Sequence, residues 1–190
     1  MKIKLLLVFT LSMLFSSSTI NIMLDLDPSY IMIVNDESET LPQSYTHSFG
    51  TPALSLGYTQ DLYQSKHFLL DIGGEFMMGR KSKNNESIFS VHSLYLSPTF
   101  IIDKKINLFT RFGYNVINSD TDENSFDSLS GGYNFGVGMM YKISDNYAIS
   151  IHHVQHEANG QSDGLEYLFS YNRYGITLSY GIDIIEGLND

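Results

Sequence analysis

The sequence predicts an all-β fold, an eight-stranded antiparallel up-and-down transmembrane β-barrel with a polar, filled lumen. Three observations carry that expectation. Apolar and polar residues alternate with period two through most of the chain, which is the signature of strands with one apolar face. The opposite face carries Gly, Asn, Arg and Lys, too polar for the core of a sandwich but suited to a lumen whose wall meets lipid on its other side. The connections alternate long and short, so that all loops of one kind emerge at the same end.

The pattern is clearest over 106–143. There Ile106, Leu108, Phe112, Tyr114 and Val116 oppose Asn107, Arg111, Gly113 and Asn115, and after an acidic loop Tyr133, Phe135, Val137, Met139 and Tyr141 oppose Asn134, Gly136, Gly138 and Lys142. The first strand is expected at 25–34, with Leu24, Leu26, Tyr30, Met32 and Val34 on one side. The second, 49–62, turns Leu54, Leu56 and Tyr58 outward, and the third sets Phe68, Leu70, Ile72, Phe76 and Met78 against Asp71, Gly73 and Glu75. The fourth, 88–102, carries Leu94, Leu96 and Phe100 on one face, with Pro98 read as a bulge because proline cannot donate to a ladder. The seventh is expected at 147–157, followed by a loop at 158–168 and a last strand in which Tyr174, Ile176, Leu178, Tyr180 and Ile182 share a face. Tyr58, Tyr95, Tyr114, Tyr133, Tyr141, Tyr147, Tyr174 and Tyr180 are candidates for interfacial girdles, where amphipathic rings suit the headgroup level.

Composition agrees. Charged residues are 17% and aromatics 13% of 190 residues, with 15 Gly, whereas long helices would require more Ala, Leu, Glu and Lys. There is no Cys, which removes disulfides and thiolate metal sites. At the N-terminus a basic start, Lys2 and Lys4, precedes an apolar run 5–15 and the small residues Ser16, Ser17 and Ser18. This has the form of a cleaved signal peptide, 1–18, ahead of a barrel domain, 19–190. No later run approaches the ~20 apolar residues of a spanning helix, so a membrane would be crossed by strands. The net charge of −10 and the absence of a basic patch argue against nucleic acid. Carboxylates cluster between strands at 36–39 and 120–123, offering acidic loops to an extracellular partner.

Eight strands enclose a lumen that side chains fill. Among the inward positions are Asp71, Glu75, Arg111, Lys142 and Arg173, expected to pair into a charge network because an unpaired buried charge is costly. No cofactor or metal is expected.

The arrangement resembles the small eight-stranded outer-membrane barrels, the class of the outer-membrane protein A transmembrane domain and the porin-like barrel family. The closing stretch 174–182 is similar to the strand read by the barrel assembly machinery. The resemblance implies an outer-membrane location, contact with outer-membrane lipid, and a non-enzymatic role that is structural, surface-interacting or narrowly conducting. A local likeness to the outer-membrane phospholipase A and lipid A deacylase barrels covers 156–160 and the later polar strand. It implies an acyl hydrolase with His156, Asn159 and Ser162 as site residues, although Ala158 stands where those enzymes have Ser. A further alternative is a soluble periplasmic lipocalin-like barrel, which would turn the aliphatic face inward around a ligand.

Overall fold

The computed structural model describes residues 17–26, 29–35, 41–81, 83, 88–120, 130–162 and 165–182. The expected leader 1–18, apart from Ser17 and Ser18, lies outside these residues, as do the acidic cluster 36–39 and 121–123 of the other. The strands are β1 (Ser18–Asp25), β2 (Ser29–Asn35), β3 (Gln43–Ser48), β4 (Ala53–Gln64), β5 (Phe68–Met77), β6 (Arg80–Lys81), β7 (Ile88–Ile101), β8 (Ile106–Asp120), β9 (Ser130–Lys142), β10 (Tyr147–Ser162) and β11 (Leu165–Ile182).

Hydrogen bonding runs β1-β4-β5-β7-β8-β9-β10-β11, antiparallel throughout, and β11 pairs back onto β1. The result is a closed ring of eight strands, which leaves no sheet edge along its wall. The hairpin of β2 and β3 continues upward from β1 and β4 and docks on the upper part of β11, which uses residues 175–182 for β1 and 166–170 for β2. With the long β10–β11 ladder, this makes the wall taller on one side.

The period-two pattern decides which face is which. Ile20, Ile22, Leu24, Leu54, Leu56, Leu94, Phe112, Phe135, Val137, Ile176 and Leu178 are exposed on the outside, while Asn21, Asp25, Ser55, Glu75, Arg111, Asn115 and Arg173 are buried inside. A contiguous apolar outer surface of this kind marks a wall that meets a membrane or a partner. The lipocalin-like alternative is thereby corrected: the continuous aliphatic face stands outside, and the inside holds buried polar and charged side chains with an aromatic cluster toward one end. On β9 the band runs from Tyr133 to Tyr141, roughly 27 Å along the strand and roughly 20 Å in height at the usual barrel tilt. Tyr114 and Tyr133 pack edge to face at one rim, 6.0 Å between centroids, and Tyr147 and Tyr180 meet at 5.1 Å at the other. Tyr95 is not a girdle residue, because its odd position on β7 turns it inward.

Four further expectations are corrected. The first strand begins at Ser18, and its apolar residues do not share one side. Leu24 and Leu26 face out while Tyr30 is buried inside with Met32 and Val34 packed nearby. Asp25 lies opposite Gly175 but Ile31 opposite Ser170, a one-residue change of register against β11, and such a slip turns side chains to the other face. Pro98 makes no bulge, since Leu96 facing Phe112 and Thr99 facing Phe109 keep one register through it; the irregularity is at Asp61 and Tyr63 in β4. Residues 158–162 and 165–168, expected in a loop, are strand, for β10 and β11 stay paired up to Ser162 and Leu165.

Candidate functional site

The interior is built in three storeys. The middle one is ionic. Arg173, from β11, is wholly buried, and its guanidinium cannot shed its proton, so folding must supply partners. Its Nε donates to Asp25 Oδ1 at 2.6 Å, one terminal nitrogen pairs with Glu75 Oε1, and the other reaches Ser55 Oγ at 3.2 Å and Met23 Sδ at 3.6 Å. Ser55 in turn donates to Asp25 Oδ2 at 3.1 Å. Arg111, from β8, donates to the second oxygen of Glu75 at 2.7 Å and lies 4.0 Å from the centroid of the Tyr95 ring. Two guanidinium and two carboxylate groups from four strands thus form a charge-balanced layer across the barrel.

The strands force this meeting. Asp25, Ser55, Glu75, Arg111 and Arg173 all occupy inward positions of an alternating pattern, and the register sets their heights. Gly175 leaves the room required: a Cβ there would lie 2.6 Å from His152 Nε2 and 2.9 Å from Asp25 Oδ1.

Toward the long-loop end an aromatic storey follows. Tyr30 stacks on Phe89 at 4.3 Å and on His47 at 4.9 Å, and Phe89 meets Phe49 at 5.2 Å and Tyr171 at 5.1 Å. Arg80 lies 3.4 Å from the Phe49 centroid and donates to the Tyr171 hydroxyl at 2.9 Å. His156 stacks on Tyr171 at 5.7 Å, with Nδ1 3.4 Å from Asn115 Oδ1. These rings come from β2, β3, β7, β10, β11 and the segment between β3 and β4, so side chains from around the ring fill the cross-section.

Toward the short-turn end the lumen opens into a polar cavity of ≈ 310 Å³ lined by Asp61, Asp71, Arg111, Lys142 and His152 among others. In the β2–β3 hairpin, which stands above the apolar band, burial lowers the pKa of His47 below its ordinary value.

Of the five residues expected to form the charge network, the fold brings Glu75, Arg111 and Arg173 together. Lys142 is exposed at the mouth of the cavity, and Asp71 faces Asp61 across the β4–β5 register. Parity along a strand tells inside from outside but not height, so it could not separate them. Asp25 is not among the expected lumen charges, although it opens the expected strand 25–34 on the side opposite Leu24 and Leu26; the alternation of Ile20, Ile22, Leu24 and Leu26 places it inside. Of the three residues of the hydrolase reading, His156 and Asn159 are not brought together. His156 is buried in the aromatic storey, while Asn159, three residues on along a continuous strand, is exposed on the outer face. The Ser162 side chain lies outside the described set. Among the described residues no cluster of ligating side chains could hold a metal ion.

No protein-family model matches the sequence, and no curated protein is significantly similar to it. Solved structures are similar to it. The outer-membrane protein AlkL, determined in DMPC lipid bilayers, is 13% identical over 92% of this chain and 93% of its own, with a TM-score of 0.52. Ail of Yersinia pestis in a phospholipid nanodisc is 12% identical over 88% of this chain and 99% of its own, at a TM-score of 0.48. The neisserial surface protein NspA is 15% identical over 85% and 96%, at 0.45. By fold, the chain is a small eight-stranded β-barrel of the outer-membrane type.

Proposed function

We propose that this chain is an outer-membrane barrel that acts without catalysis, as a structural wall element that presents its long-loop end to a surface partner. One observation carries the reading: an apolar outer band surrounds a lumen filled by an ionic layer and an aromatic layer. An exposed apolar wall with buried, mutually compensated charges is stable where the solvent is lipid, and unstable where it is water. A filled lumen favours a wall or docking role over diffusion of solutes. Insertion would proceed through the barrel assembly machinery, and the acidic loops between strands would face the cell exterior.

Fractionation with a heat-modifiable gel shift tests the placement. Recovery in the soluble periplasm, or a band unchanged by heating, would sink it. Planar-bilayer recording tests the closed lumen. The expected trace is silent, and stable ohmic openings would replace the structural role by a channel.

A further inference from the structure

Among the described residues the exposed cations divide by height. Lys81 and Lys83 stand at the long-loop end, while Lys66, Lys104, Lys105 and Lys142 stand at the short-turn end. Lys142 belongs to the mouth of the cavity. The other three lie on neighbouring turns, since Ile101 N donates to His67 O at 3.0 Å and ties the Lys66 turn to the strand end that leads into Asp103, Lys104 and Lys105. Just inside them runs a line of outward rings: Tyr63 packs on Phe68 at 6.3 Å, Phe68 on Phe100 at 5.6 Å, and the Lys105 ammonium lies 5.8 Å from the Tyr141 centroid. Across the ring, the short-turn ends of β10, β11 and β1 carry no Lys or Arg among the described residues.

We propose that Lys66, Lys104 and Lys105 form an arc that docks the phosphates of anionic phospholipid headgroups. The proposal rests on the membrane reading above. Amphipathic rings mark the headgroup level, and ammonium groups one or two residues beyond them stand where lipid phosphates lie. Asp103 offsets part of the charge of the arc and leaves it net positive. Asp103 Oδ1 accepts from the backbone N–H of Lys105 at 2.6 Å and of Ile106 at 2.7 Å, which turns that carboxylate toward the chain. Asp145 lies in the next turn, between β9 and β10.

The test uses spin-labelled phosphatidylglycerol and phosphatidylcholine in DMPC vesicles holding the full barrel. It compares the parent, a variant with Lys66→Gln, Lys104→Gln and Lys105→Gln, and a control with Lys81→Gln and Lys83→Gln. Each is first scored for folding by gel shift. The parent should immobilise phosphatidylglycerol in preference to phosphatidylcholine, the preference should fall with added salt, and the triple variant should lose at least fivefold, since each basic residue near an anionic surface contributes roughly that factor. The control should keep it. A folded parent without preference, a triple variant that retains it, or an equal loss in the control overturns the arc and leaves the barrel standing. A parent that does not fold into DMPC overturns the membrane reading and the arc with it. Should only the triple variant fail to fold, the salt series on the parent decides, because a preference indifferent to salt is not made by lysines.

Discussion

Arg173 donates from Nε to Asp25 Oδ1 at 2.6 Å, a bond between residues 148 apart that crosses the seam where the last strand meets the first. Removing one member of a buried pair leaves the other charge uncompensated, which costs more than the pair contributes. Asp25→Ala should therefore lower folding free energy by about 3–5 kcal/mol, read as a shift of the urea midpoint in lipid vesicles. Ser55→Ala, which removes a neutral hydroxyl from the same cluster, should lower it by about 1 kcal/mol. Equal midpoints for Asp25→Ala and the parent would show that the layer does not hold the seam.

Glycines give a sharper steric test. A methyl group on Gly113 would run into the Leu94 carbonyl oxygen and come within 2.6 Å of Tyr95 Cα, backbone that cannot move without the strand. One on Gly74 would sit 3.4 Å from Leu94 Cδ2, the end of a flexible side chain. Gly113→Ala is expected to destabilise by about 1–3 kcal/mol and to lower the folded fraction on gels, whereas Gly74→Ala should be close to neutral.

Acidification should loosen the β2–β3 hairpin. Burial lowers the pKa of His47 in the folded chain, so above its ordinary value of 6.5 the imidazole is neutral folded or unfolded and adds no pH dependence. As pH falls through 6.5, the unfolded segment takes up a proton that the folded one resists, and stability is lost until the folded pKa is passed. Amide exchange in β2 and β3, corrected for its intrinsic pH dependence, should thus accelerate below pH 6.5 in the parent. In His47→Phe, which keeps the stack on Tyr30, that acceleration should be absent.

His156 offers the test of catalysis. With Asn159 on the opposite face of β10, the folded protein should release no fatty acid from phospholipid, and neither should His156→Ala. Release by the parent that is lost in the variant would restore the hydrolase reading. The substitution should still destabilise, by roughly 1–3 kcal/mol, because it strips a buried polar partner from Asn115.

Much of the barrel was legible from alternation alone. The faces of β4, β5, β7, β8 and β9 follow the period-two pattern, because on a half-buried strand the side chain's environment is decided by parity. What failed were quantities that parity does not contain. The turn of Tyr30 to the inside depends on a register change against β11, a partner far away in sequence. The strand through Asn159, Gly160 and Gln161 reads as a loop by composition, yet cross-strand pairing with Leu168, Tyr167 and Glu166 holds it extended. Asp25, Glu75 and Arg173 come from strands whose relative heights are fixed by the shear of the closed ring, so the ionic layer could be anticipated in kind and not in membership.

Ring closure also has a kinetic side. The β1–β11 pairing joins the two ends of the folded chain, so the Arg173 contact with Asp25 can form only as the cylinder shuts. Contacts made after the folding barrier act on the rate of escape and hardly on the rate of entry. The seam would then work as a latch: it lets the barrel assemble at the pace its hairpins set, and lengthens the time the finished wall survives before it reopens.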